Sequence, residues 1–309
     1  MLPSVSRRDF LAGAVTGAAL LATNRLSIAA EDKAPLFKIS LAQWSLHKAF
    51  GRRGNATLDP LNFATIAHTE YGIDAVEYVN QFYATKKKDK SYLKDLKKVA
   101  DDSGVRSVLI MCDNEGALGD ADEAKRKVAV ENHYRWAEWA KYLGCHSIRV
   151  NAYSTGTYDE QVSRAADGLH KLTEFACKMD INVIVENHGG LSSNGEWLTA
   201  VMKKVDHKCC GTLPDFGNFS LGNGKEYDRY KGVDEMMPYA KGVSAKTYDF
   251  DDKGNETKID YRKMLDIVLK KHKYNGFVGI EYEGAGLSEP DGIKASKKLL
   301  EAIREEMSK

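Results

Sequence analysis

Residues 181–190 read Ile-Asn-Val-Ile-Val-Glu-Asn-His-Gly-Gly. An apolar, largely β-branched run stops abruptly at the carboxylate of Glu186, and the paired glycines that follow end regular structure. A strand covered on both faces, as in a parallel sheet, has this near-continuous apolar character. The pattern returns twice downstream, in Thr212-Leu-Pro-Asp215-Phe216-Gly217-Asn218 and in Phe277-Val-Gly-Ile-Glu281-Tyr282-Glu283-Gly284. Three short apolar runs thus end in three acids.

Outward from these runs, short apolar stretches alternate with longer helical ones. The pattern predicts strands over Lys38–Trp44, Ala75–Val79, Arg106–Cys112, Ser147–Asn151, Asn182–Glu186, Cys210–Pro214, Gly242–Lys246 and Phe277–Tyr282. It predicts helices near Leu61–Tyr71, Ser91–Ser103, Asp120–Leu143, Asp159–Met179, Gly195–Val205, Gly232–Tyr239, Tyr261–His272 and Gly292–Met307. Strand–helix alternation over the whole length implies parallel βαβ units. Eight such pairs in roughly 280 residues suit a closed α/β architecture, the (β/α)8 TIM barrel, as a single domain. An open doubly wound sheet fits less well, because the first βα turn has no GxGxxG fingerprint. Glycines after the expected helix ends (Gly72, Gly104, Gly144, Gly276) suit left-handed caps. Trp136 and Trp139 read as helix-packing residues rather than a sugar platform.

In such a barrel the active site lies at the C-terminal ends of the strands. Glu186, Asp215 and Glu281 fall there together, and buried acids need partners to offset desolvation. Convergent oxygen donors suit one divalent ion: Mn, Mg, Co or Zn. Lys246 ends the seventh strand, where an ammonium either stabilises an enolate oxygen, binds a substrate carboxylate or pairs with a nearby acid. His188 is a substrate hydrogen-bonding group, a partner of a ligand, a ligand itself or a structural residue. Glu77, near the end of the second strand, is a candidate for binding a substrate hydroxyl. No GxSxG or HExxH motif is present, and Gly222-Asn-Gly-Lys225 lacks the context of a phosphate loop.

The segments Val185-Glu186-Asn187-His188, Pro214-Asp215-Phe216-Gly217-Asn218, Ala245-Lys246, Ile259-Asp260-Tyr261 and Gly279-Ile280-Glu281-Tyr282 resemble the xylose-isomerase-like TIM-barrel superfamily of sugar isomerases and epimerases. That resemblance implies that Glu186, Asp215 and Glu281 bind the metal. It also implies that Glu186 and Glu281 move protons on opposite faces of the substrate. Many relatives carry a metal-binding His at the end of strand seven; here Ser244 stands in that place, and a hydroxyl is a poorer ligand than imidazole. His188 or an acid of the Asp249–Asp252 stretch is the alternative fourth ligand. Asn218 stands where some relatives have a His, and it joins His188 and Glu77 as a substrate-binding candidate. The expected reaction is proton abstraction next to a carbonyl through an enediolate, in an isomerase or epimerase acting on a small carbohydrate. A lyase or hydrolase on a keto-glycoside uses the same enolate chemistry, and a non-catalytic carbohydrate-binding barrel is a further alternative.

Residues 1–30 stand apart from the barrel segment, residues 31–309. Arg7-Arg8 precede a small, apolar run from Leu11 to Ala22 and a small-residue site around Ala29-Ala30. This arrangement resembles a twin-arginine export signal and implies a periplasmic protein that folds before export; an amphipathic helix or a retained anchor is the alternative. Removing the segment takes away Arg7, Arg8, Arg25 and Asp9 and shifts the formal net charge from +1 to −1. Near-neutral charge gives no support for nucleic-acid binding, and no apolar run predicts stable membrane insertion. Association into a homo-oligomer is compatible with the sequence. Five cysteines without CxxC spacing read as unpaired structural thiols rather than a disulfide framework.

Overall fold

The computed structural model describes residues 35–309 apart from Arg53, so the expected export segment lies outside the described residues. Eight strands form one parallel sheet: β1 (Lys38–Ala42), β2 (Ala75–Val79), β3 (Arg106–Met111), β4 (Ser147–Val150), β5 (Asn182–Glu186), β6 (Cys210–Leu213), β7 (Val243–Thr247) and β8 (Phe277–Tyr282). Their order is β6-β5-β4-β3-β2-β1-β8-β7. The free edges of β6 and β7 meet through parallel bridges at Thr212–Ala240 and Asp215–Ser244. Ser244 N donates to Pro214 O at 2.9 Å and Phe216 N to Ser244 O at 3.1 Å, which closes the ring. The chain folds as the expected (β/α)8 TIM barrel.

Helices α1 (Phe63–Tyr71), α2 (Lys90–Asp102), α3 (Glu123–Leu143), α4 (Tyr158–Cys177), α5 (Gly195–Val205), α6 (Arg229–Met236), α7 (Tyr261–Leu265) and α8 (Glu289–Ser308) surround the sheet. Local chemistry sets their ends. The Asp122 carboxylate accepts from Ala124 N and Lys125 N to start α3. Thr157 and Glu160 form a reciprocal capping box at α4, which satisfies two otherwise orphaned amides. Gly72 and Gly144 take φ of 59° and 85° beyond α1 and α3, a conformation that costs residues with a Cβ. Gly276 does not act this way; Lys273 takes the left-handed turn instead, with φ 56°. Helix α7 is shorter than its pattern suggests, because Asp266–Lys271 continues as a π-helical turn.

Trp136 is fully buried and Trp139 nearly so, their rings edge to face at 5.3 Å, as helix-packing residues. The cysteine expectation needs correction. Cys177, at the end of α4, and Cys209, just before β6, form a disulfide, while Cys112, Cys145 and Cys210 are buried free thiols. The two partners lie 32 residues apart in sequence, and only the fold brings their Cα atoms to 5.8 Å.

Glu77 also occupies an informative place. It lies fully inside the barrel, where Ser40 Oγ donates to its Oε1 at 2.6 Å and Oε2 has no hydrogen-bond partner. Gly279 on β8 makes room for it, since a Cβ there would sit 2.5 Å from Oε1. Burial pushes the Glu77 pKa up to about 7, against the opposing Ser40 hydrogen bond. The native state therefore holds this proton between about pH 4.5 and 7 while the unfolded chain releases it, so stability falls as pH rises through that window. The loss amounts to about 3 kcal/mol. Glu77→Gln carries no such penalty. With metal chelated, denaturant unfolding is expected to show the variant gaining on wild type from pH 4.5 to 8; a pH-independent difference defeats this account.

Candidate active site at the barrel mouth

The C-terminal ends of β3 to β8 converge on one polar cluster. Glu186 ends β5, Asp215 follows β6, Ser244 and Lys246 lie on β7, and Glu281 lies on β8. One oxygen from each of Glu186, Asp215 and Glu281 lies within 4.8 Å of the other two, and all three side chains are buried. The β7–β8 register sets Lys246 beside Glu281. Its Nζ reaches Glu281 Oε1 at 2.7 Å, Glu283 Oε2 at 3.1 Å and Asp215 Oδ2 at 3.7 Å. Ser244 Oγ donates to Asp215 Oδ2 at 2.8 Å and faces Glu281 Oε2 at 3.2 Å.

Each acid is held by side chains of its neighbours. Asn187 Oδ1 accepts from Asp215 N at 2.7 Å, and its Nδ2 donates to the carbonyls of Asp215 and Asn218 at 3.0 Å each. Asp215 Oδ1 accepts from Gly217 N and Asn218 N, both at 2.8 Å. Asn218 Nδ2 donates to Glu186 Oε1 at 2.9 Å, so Asn218 holds the acids in place instead of pointing away from them. On β4, the buried Arg149 pairs with Glu186 Oε2 and, at 2.8 Å, with Asp113 Oδ1. Asn151 Nδ2 also donates to Asp113, at 2.7 Å.

Burial raises the pKa of Glu186 well above the carboxylate range; Arg149 opposes this, while Glu281 and Asp215 add to it. Burial likewise raises Glu281, against the pull of Lys246. Desolvation disfavours the Lys246 ammonium, but Asp215, Glu281 and Glu283 outweigh it and hold its pKa well above the ordinary value. Asp113 is held down to about 2: burial works to raise it, and Arg149 with Asn151 prevails.

Fully ionised, the mouth carries five carboxylates (Asp113, Glu186, Asp215, Glu281, Glu283) against the cations Arg149 and Lys246. That excess of negative charge among convergent buried oxygens fits a divalent cation. Glu186, Asp215 and Glu281 are the residues that would hold it. The same excess bears on Ser244. An imidazole in Ser244→His would face Asp215 and Glu281, and metal affinity should rise about tenfold, or about 1.4 kcal/mol. Calorimetric titration checks this; unchanged affinity in a folded variant means that the Ser244 position does not face the ion.

Above the cluster lies a cavity of about 320 Å³, within the range of small-molecule sites. Trp44, Gln81, Asp113, Arg149, Asn151 and His188 line it, together with Glu281. His188 sits at its exposed rim. Glu77 does not line it and lies within the barrel. The sequence reading missed Arg149, Asp113, Asn151 and Glu283. Two of them had a signal: an arginine inside the apolar run Ser147–Val150, and a second acid two residues beyond Glu281.

A model of the family described as xylose isomerase-like TIM barrel matches residues 66–305. Several solved structures share the fold. A 3-keto-D-glucoside 4-epimerase from E. coli is 16% identical with a TM-score of 0.66, covering 86% of this chain and 99% of that one. A D-tagatose 3-epimerase-like protein is 21% identical with a TM-score of 0.67, over 87% and 97%. A xylose isomerase-like TIM barrel protein from Mycobacterium smegmatis, in complex with magnesium, is 17% identical with a TM-score of 0.65, over 87% and 97%. No curated protein matches the chain.

Proposed function

The chain belongs to the xylose isomerase-like TIM barrel family, and on that premise we propose that it is a metal-dependent isomerase or epimerase of a small carbohydrate. The observation that carries this reading is the triad of buried acids Glu186, Asp215 and Glu281 beneath a sugar-sized cavity. Sugar epimerases and a magnesium-bound protein among the structural neighbours support it. A divalent ion held by the three acids would polarise the carbonyl and hydroxyl oxygens of the substrate, which favours loss of the adjacent proton.

The chain's own groups do the rest. Glu281 lines the cavity from β8, and Glu186 lies behind it at the end of β5, paired with the cavity-lining Arg149. In this reading one removes the proton next to the carbonyl and the other returns it. Burial raises the pKa of both carboxylates. Lys246, 2.7 Å from Glu281, offers a cation to the oxygen on which charge develops. Return to the opposite face of the same carbon gives epimerisation; return to the neighbouring carbon gives isomerisation. Incubation of the metal-loaded protein with ketoses and keto-glycosides in D₂O tests the proposal. Deuterium is expected at the carbon beside the carbonyl. Exchange accompanied by release of the aglycone indicates a lyase instead, and absence of exchange across the panel defeats catalysis of this type.

Residues 1–30 are proposed to direct export to the periplasm, on the strength of Arg7-Arg8 and the run that follows. Arg7→Lys with Arg8→Lys should leave uncleaved precursor in the cytoplasm; normal export of that double variant removes the signal. Among the described residues no helix is long and apolar enough to cross a membrane.

A further inference from the structure

At the opposite end of the barrel, where α4 ends and the chain enters β6, Cys177, His207 and Cys209 form a second cluster. Their sulfur and ring-nitrogen atoms lie within 4.8 Å of one another. All three are partly exposed, unlike the buried thiols Cys112, Cys145 and Cys210. Cys209 N donates to His207 Nδ1 at 3.1 Å, which fixes the ring beside Cys209. Among the described residues no carboxylate pairs with His207. A second imidazole, His170, stands two helical turns before Cys177 on α4, its ring centroid 6.1 Å from that of His207.

Two thiols and an imidazole are the donor set of zinc-like ions, and they differ in kind from the oxygen cluster at the mouth. In the disulfide form the sulfurs are committed to each other and make poor ligands. We propose that this corner is a redox-gated metal site: closed as the Cys177–Cys209 disulfide under oxidising conditions, and binding one zinc-type ion through Cys177, Cys209 and His207 once reduced. A dithiol delivers two electrons and two protons to the Sγ–Sγ bond, leaving two thiols and becoming a disulfide itself. The incoming divalent ion then displaces both thiol protons, which go to solvent, and binds two thiolates and the neutral imidazole. Water or His170 fills the fourth position. Either form ties the end of α4 to the start of β6, so the barrel keeps a staple in both redox states.

Cobalt is the probe, because thiolate–Co²⁺ coordination gives a near-ultraviolet charge-transfer band that carboxylate ligands do not. The full chain is reduced with a dithiol, freed of it anaerobically and titrated with Co²⁺. The band is expected in reduced wild type and in reduced Glu186→Gln, and it should be absent from the oxidised protein. Cys177→Ser with Cys209→Ser should abolish it, and His207→Ala should weaken cobalt binding at this band only. The remaining thiols should not contribute, since burial raises their pKa, Cys210 to about 11. No band in reduced wild type overturns the proposal, as does a band that survives in the double serine variant. Loss of proton exchange in D₂O with this band intact would count against the mouth chemistry alone.

Discussion

Glu281→Gln is expected to fold normally and to lose turnover by about 10³-fold, within the range for a missing general acid or base. Glu186→Gln should lose turnover alike. Amide for carboxylate keeps the volume and the hydrogen bond from Lys246 or Asn218 while removing the group that carries the proton. In Glu281→Gln it also removes one of the mutually repelling acids in the cluster, so that metal-free variant should be as stable as metal-free wild type or more so. Glu186→Gln in addition takes a charge partner from the buried Arg149 and should lose stability for that reason. In Glu281→Gln the two trends run in opposite directions, and that separates a chemical loss from a folding loss. Turnover and chemical denaturation, measured with metal and with chelator respectively, provide the check. Wild-type turnover in either variant at saturating metal removes that residue from the proton path.

Arg149→Met is expected to cost about 3–5 kcal/mol of stability, the range for removing one partner of a buried ion pair. The guanidinium is buried and serves two acids, Glu186 and Asp113, which would be left facing each other across an apolar side chain. Its pH signature has a definite sign. Asp113 is depressed to about 2 in the native protein, so its ionised form stabilises the fold above the ordinary carboxylate pKa, and that contribution fades as pH falls toward 2. Arg149→Met loses it at neutral pH, and the gap to wild type should narrow in acid. Unfolding in the presence of chelator at pH 7 and at about pH 2.5, inside the window between the ordinary carboxylate pKa and 2, measures both. A variant as stable as wild type at pH 7 would show that Arg149 is not the counter-ion of the mouth.

The barrel was legible because parallel strands are read from continuous apolar runs, and in this chain three of those runs end at acids that fall together at the C-terminal face. Glu186, Asp215 and Glu281 could be placed from three segments alone. Partnerships across the ring could not. Arg149 and Asp113 sit on different strands, and no local pattern records that their side chains meet. The Cys177–Cys209 bond depends in the same way on how α4 returns to the sheet. Glu77 illustrates a finer limit. A strand's two-residue alternation gives the face of a residue but not its depth along the barrel axis, and depth decides between a hydroxyl-binding acid and a buried one. Ser244 was the reverse case: its register was readable, and its contacts to Asp215 and Glu281 followed from that register.

The meeting of β6 and β7 is the least reinforced seam of the ring, carried by isolated bridges where other neighbours share a ladder. Asp215 stands on one lip of that seam, and Ser244 and Lys246 stand on the other. The gap between oxygen donors is therefore set by a join in the main chain as much as by side-chain choice. A small residue at position 244 lets the lips approach. Substitutions behind the seam, far from any donor, could alter which ionic radius the mouth accepts. Such a mouth can be reshaped through its masonry, with every acid left in place.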